Sequence, residues 1–161
     1  MSVRLASGDL AGLDSQRPEA VAVFCFSDVR PLAGGAGYLD WRVCGAISRR
    51  IESGAFGARQ GEIILLPTQG RLGRQRLFVF GLGALATCDG PILKRVCRDA
   101  LEVMRRAGAE KPVFVAPAAH DDSEIEGRFV RALSEELPRE VAVLVLGEIG
   151  DTGADSRAYS E

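Results

Sequence analysis

A chain of 161 residues, 47% apolar and 26% charged with a net charge of −2, has the size of one domain and a globular rather than disordered composition. At that length it can bury roughly 70% of the surface its unfolded form exposes, with no disulfide or metal staple. No apolar run approaches the ~20 residues of a bilayer span, and Met1 to Leu10 holds one arginine and no apolar h-region, so neither a membrane segment nor a secretory signal is expected and the cytoplasm is the expected compartment.

In chain order, Val3-Arg-Leu5 is a candidate edge strand and Ala20 to Phe26 a buried strand. A helix is expected over Gly37 to Ser53, where Leu39, Val43, Ile47 and Ile51 recur every four residues and Gly54 stands at the C-cap position. Glu62 to Leu66 and Arg76 to Gly81 follow as two strands, and the Gly-rich stretch between them predicts an antiparallel hairpin. The stripe of Leu93, Cys97, Ala100, Leu101 and Met104 predicts a second helix over Asp89 to Ala107, with Asp89 as N-cap, Pro91 in the first turn and Gly108 at its end. Pro112 to Ala116 is a further strand. A third helix over Ser123 to Leu137 carries a Ser123/Glu126 capping box and stops at Pro138, before a last strand over Val141 to Leu146.

These strands are continuous apolar runs rich in Val, Ile and Phe, as strands covered on both faces require. Helices alternating with such strands predict an α/β fold, a three-layer α/β/α sandwich on a mixed, mostly parallel sheet. One domain is expected over 1–149, with residues 150–161 as a frayed tail or linker stump.

Cys25, Cys44, Cys88 and Cys97 form no C-x-x-C pair, and with one histidine in the chain no structural zinc site is expected. They read as small buried hydrophobes; Cys88, in a predicted loop, is the one candidate for a reactive thiol. Residues 42–111 hold 13 basic against 6 acidic side chains, and residues 112–161 hold 4 against 11. Such asymmetry can mark an anionic partner or opposed surfaces that attract one another between molecules, unless the charges scatter over solvated faces.

Pro31-Leu-Ala-Gly-Gly-Ala-Gly-Tyr-Leu-Asp40, Gly45-Ala-Ile-Ser48, Gly54-Ala-Phe-Gly57, Gly61-Glu62 and Arg76-Leu-Phe-Val-Phe-Gly-Leu-Gly83 occur in this order. Together, over about residues 18–118, they resemble the N-terminal domain of the leucine aminopeptidase family. The resemblance implies a macro-domain-like fold and a domain that is not the catalytic one. In that family a C-terminal domain holds two metals through a lysine and several carboxylates, and its signature Asn-Thr-Asp-Ala-Glu-Gly-Arg-Leu does not occur here.

Candidate sites are few. Gly34, Gly35 and Gly37 follow a strand and open a helix, and Gly81 and Gly83 end another strand; such glycines let backbone N–H groups approach a phosphate. True macro domains bind ADP-ribose with two such loops, so the resemblance makes an ADP-ribose or nucleotide ligand conceivable. Asp28 would repel a diphosphate if it faced the site, and tight strand-to-helix turns explain the glycines better. His120, Asp121 and Asp122 read as a solvated helix approach rather than a metal site, and no G-x-S-x-G elbow accompanies any serine. Arg71, Arg74 and Arg76, with Lys94, Arg95, Arg98, Arg105 and Arg106, could make a basic surface, but a pI near 5.6 and few aromatics disfavour nucleic acid. No catalytic residue, metal or cofactor is therefore expected. The leading expectation is a non-catalytic, protein-binding or self-associating module, acting through opposed charged surfaces or an uncovered sheet edge. The alternatives are a nucleotide or ADP-ribose pocket, and an aminopeptidase fragment inactive without its other half.

Overall fold

The computed structural model describes residues 3–6, 18–73, 75–136 and 141–144. Among the described residues six strands form one sheet: β1 (Val3–Ala6), β2 (Ala20–Phe26), β3 (Ile63–Leu66), β4 (Arg76–Gly83), β5 (Pro112–Val115) and β6 (Val141–Leu144), in the spatial order β1-β6-β5-β2-β4-β3. All neighbours are parallel except β3 and β4, which pair antiparallel from Ile63–Phe80 to Leu66–Leu77. The helices are α1 (Gly34–Arg42), α2 (Ala46–Glu52), α3 (Gly90–Arg106) and α4 (Ile125–Glu136). The tail expected over 150–161, and Pro138, lie outside the described residues.

The continuous apolar strands are continuous because both faces are covered. Along β2, Ala20, Ala22, Phe24 and Phe26 enter one core with Phe78, Phe80 and Phe114 and the apolar faces of α3 and α4. The alternate residues Val21, Val23 and Cys25 enter a second core with Leu77, Val79, Val113 and Val115 against α1, α2 and Phe56. Phe24 centres the first core: its ring lies 5.3 Å from that of Phe80, 6.1 Å from Phe114 and 4.7 Å from Phe129. Removing a ring so enclosed costs about 3–5 kcal/mol.

The expected Gly37–Ser53 helix is two helices. Cys44 and Gly45 take φ of +55° and +76°, which turns the chain and restarts it as α2. The Asp40 carboxylate accepts hydrogen bonds from Ile47 N and Ser48 N (2.9 and 3.1 Å) and from the Ser48 hydroxyl, capping the new helix from the old one. The four-residue stripe survives because Leu39, Val43 and Ile47 all still reach the second core. Helix α3 starts as its caps predict, with Asp89 Oδ1 accepting from Ile92 N at 2.9 Å. Helix α4 begins at Ile125, one residue later than the Ser123 capping box implies. At its approach the Asp122 carboxylate accepts from Glu124 N at 3.0 Å and from the Arg128 guanidinium.

Candidate functional site

The Gly-rich loops meet at one end of the sheet, beyond the C-terminal ends of β2 and β4. Ser27 N donates to Gly83 O (2.8 Å), and Leu85 N donates to the Asp28 carboxylate (2.9 Å), so the two loops are laced to each other. Asp28 thus serves as a loop clasp. Arg30 folds back on its own loop, its guanidinium donating to Phe26 O and Val29 O at 2.9 and 2.6 Å. Gly34 takes a φ of +53° and Gly35 is buried as α1 begins. A Cβ at Gly37 would stand 2.5 Å from Leu32 O, so this glycine lets the helix pack on the loop that precedes it.

Gly81 answers to a similar need. A Cβ there would meet Arg59 O at 2.1 Å and Ala58 C at 2.6 Å, because the chain around residues 57–60 crosses directly over the end of β4. Gly81 N donates to Glu62 O and Gly83 N to Ala58 O, both at 2.9 Å. The crossing is itself held by Glu62, whose Oε2 accepts from Gly57 N (2.8 Å) and Arg59 N (3.0 Å). Those donors, Arg59 N foremost, hold the Glu62 carboxyl below the usual carboxylate range. Gly37 and Gly81 therefore accommodate the protein's own backbone, while Gly34 and Gly83 take left-handed conformations.

The cysteines divide differently from the expectation. Cys88 is buried, and desolvation pushes its thiol up to about 11; burial pushes the Cys25 and Cys97 thiols up to about 12. The exposed thiol is Cys44, which lies on the turn between α1 and α2 rather than within a helix. His120 and Asp121 are exposed, and the Asp122 carboxylate is engaged by Arg128. Among the described residues no three His, Cys, Asp or Glu side chains are grouped to hold a metal ion, and no helix is long and apolar enough to cross a membrane.

The charge asymmetry closes on itself along the α3–α4 seam. Lys94 pairs with Glu135 and Arg98 with Glu136 at 3.0 Å, while Glu102 takes both Arg105 and Arg106 at 2.8 and 2.7 Å. Four cations of α3 are thus paired within the chain, two with glutamates of α4 and two with Glu102 of α3 itself. Arg76 is tied to Ala107 O at 2.6 Å, just past the end of α3, whereas Arg71 lines a cavity on the α2 side of the sheet, and Arg74 lies outside the described residues.

The strand expected over Glu62 to Leu66 is present as β3, antiparallel to β4 as expected, but its position at the edge was not read from the sequence. It stands last in the sheet order, paired only with β4 among the described residues, and its Ile63 and Leu65 are 39% and 56% exposed. They lie opposite Phe80 and Phe78, on the sheet face that α3 and α4 cover elsewhere. The expectation that each strand is covered on both faces thus fails at β3. An open edge with adjacent exposed aliphatic side chains is a place where another strand or surface can dock.

Comparison with known proteins places this geometry. The model of the cytosol aminopeptidase family N-terminal domain matches residues 20–141. A probable cytosol aminopeptidase of Sulfurihydrogenibium is 29% identical over 84 residues, 52% of this chain, and the matched stretch covers 17% of that protein. Among solved structures, a tomato leucine aminopeptidase variant superposes with a TM-score of 0.61 at 13% identity, over 91% of this chain and 33% of that one. The macrodomain of Mycobacterium tuberculosis DarG superposes with a TM-score of 0.60 at 17% identity, over 89% of this chain and 97% of that one. The macro-domain-like α/β fold is thereby established.

Proposed function

Since this chain belongs to the cytosol aminopeptidase family and matches its N-terminal domain, we propose that it works by binding rather than by hydrolysis, as an assembly module in the cytoplasm. The observation that carries this is the β3 edge, which has no second strand beside it among the described residues, with Ile63 and Leu65 exposed. A strand in that position offers unpaired backbone donors and acceptors for sheet extension, and apolar side chains to bury once it is extended. Two copies related by a two-fold axis would align their β3 strands antiparallel, each edge complementing the other. Opposed charged surfaces contribute less, because the α3 cations named above already face glutamates of their own chain.

A nucleotide or ADP-ribose ligand at the Gly-rich loops is the second reading. It has in its favour that α1 has Ala33 as its N-cap and no side-chain cap, which leaves its first N–H groups to other acceptors. Against it stand the Asp28–Leu85 clasp and the backbone that fills the space over Gly81. The third reading is that the domain serves an aminopeptidase whose metal-binding half is supplied separately. Hydrolysis tests the non-catalytic claim: the full chain, incubated with leucine p-nitroanilide and Mn²⁺ or Zn²⁺, is expected to release no p-nitroaniline, and sustained turnover would overturn the proposal.

A further inference from the structure

At the end of the sheet opposite the Gly-rich loops, β3 leaves the sheet at Leu66 and the chain returns as β4 at Arg76. Within this longer connection Thr68–Arg71 makes a tight turn: Gln69 and Gly70 have φ of +50° and +76°, and Arg71 N donates to Thr68 O at 2.9 Å. Both central residues of that turn are left-handed, as a type I′ turn requires. Between this turn and α2 lies a cavity of about 610 Å³, within the range of small-molecule sites. Val43, Ala46, Leu66 and Pro67 give it apolar walls, Thr68 is nearly buried in it, and Arg49, Arg50 and Arg71 all line it.

The charge in this cavity is unbalanced. Lys94, Arg98, Arg105 and Arg106 on α3 each face a glutamate, Arg59 faces Glu62 and Arg128 faces Asp122. Arg49, Arg50 and Arg71 form no ion pair among the described residues, and the one carboxylate in the lining is that of Glu52. The frame is nonetheless fixed. Arg42 Nε donates to Arg71 O at 3.1 Å, tying the turn to α1, and the Arg49 guanidinium donates to Cys44 O, tying it to the α1–α2 corner. Three like charges around the lining of one cavity repel each other, and an anion held among them relieves that repulsion. Guanidinium groups match a phosphate with paired N–H donors.

We infer that the cavity between α2 and the β3–β4 turn is a binding site for a phosphate-bearing small molecule, gripped by Arg49, Arg50 and Arg71, with its organic body against Val43, Leu66 and Pro67. It lies at the other end of the strands from the Gly-rich loops and does not depend on the β3 edge.

Calorimetric titration of the full chain with pyrophosphate, adenosine 5′-monophosphate and adenosine tests it. Both phosphate compounds are expected to bind, more weakly as salt rises, and adenosine alone is not. Arg50→Gln with Arg71→Gln should weaken pyrophosphate binding by about tenfold or more, the loss of at least one charged hydrogen bond. Arg50→Lys, which keeps the charge and loses the fork, should fall between. Arg98→Gln with Arg106→Gln, on the other side of the sheet, removes the same charge and should leave binding unchanged. No heat from either phosphate compound would overturn the inference. So would equal affinity in the Arg50/Arg71 variant, or an equal loss in the Arg98/Arg106 variant, which would mark the effect as net charge alone. Melting curves of both double variants verify that each is folded.

Discussion

Gly83 N donates to Ala58 O at 2.9 Å, joining the end of β4 to a chain segment that crosses above it. The missing Cβ of Gly81 beneath the Arg59 carbonyl, and a φ of +77° at Gly83, explain why a strand otherwise made of large apolar residues ends Gly-Leu-Gly. Gly81 is required by the protein's own backbone, two segments approaching closer than a methyl group allows, and Gly83 by its left-handed conformation.

Gly81→Ala should therefore be costly although it adds one carbon. The added Cβ meets main chain that cannot rotate away, and overpacking of this kind costs about 1–3 kcal/mol. Gly127, inside α4 with nothing within 4 Å of its absent Cβ, is the control. Gly127→Ala should raise stability by about 0.5–1 kcal/mol, through helix propensity. Urea unfolding of the two variants should shift their midpoints in opposite directions; equal shifts would mean that the crossing over Gly81 is loose.

Glu62 gives the crossing a pH dependence. Its folded-state pKa lies below the ordinary value of 4.5, held down by Arg59 N and Gly57 N. A carboxylate depressed on folding stabilises the fold above its unfolded pKa and loses that contribution as pH falls through the folded one. Melting temperatures taken from pH 7 down to pH 3 should show Glu62→Gln below the parent chain at neutral pH, with the gap narrowing under acid. A gap independent of pH would assign the loss to packing instead of charge.

Cys44 should be the first thiol to react. It is exposed, whereas Cys25, Cys88 and Cys97 are buried with thiols pushed up to about 11 or 12, and the thiolate is the reactive form. Brief iodoacetamide treatment of the native chain followed by peptide mapping should find the label on Cys44, and Cys44→Ser should leave the folded chain almost unlabelled. Labelling of Cys88 at a similar rate would show that its loop opens readily.

Much of the fold was legible because the sheet is buried on both sides. Ala20–Phe26 runs seven residues without a polar break since alternate residues feed two cores, and its limits could be read directly. Asp89 with Pro91 marked the start of α3 correctly because a cap is a local interaction. Periodicity failed at the α1–α2 corner: Val43 and Ile47 keep their spacing across a turn set by positive φ at Cys44 and Gly45, and apolar spacing does not report such a break. For the same reason Cys44 read as buried. The roles of Gly37 and Gly81 were hidden because backbone proximity across 5 and more than 20 residues leaves no local signal. Ile63 and Leu65 misled most. Their apolar character fits an interior strand, and only the sheet order shows that β3 is an edge.

That edge decides the account. Sedimentation velocity of the full chain over a range of concentrations, beside Leu65→Lys, measures its role directly. A lysine at an exposed edge position is solvated and leaves the fold intact while opposing strand addition. The parent chain is expected to form a larger species as concentration rises, and Leu65→Lys to sediment as a folded monomer throughout. A parent chain that stays monomeric at every concentration, or a variant that associates as the parent does, would contradict assembly through β3.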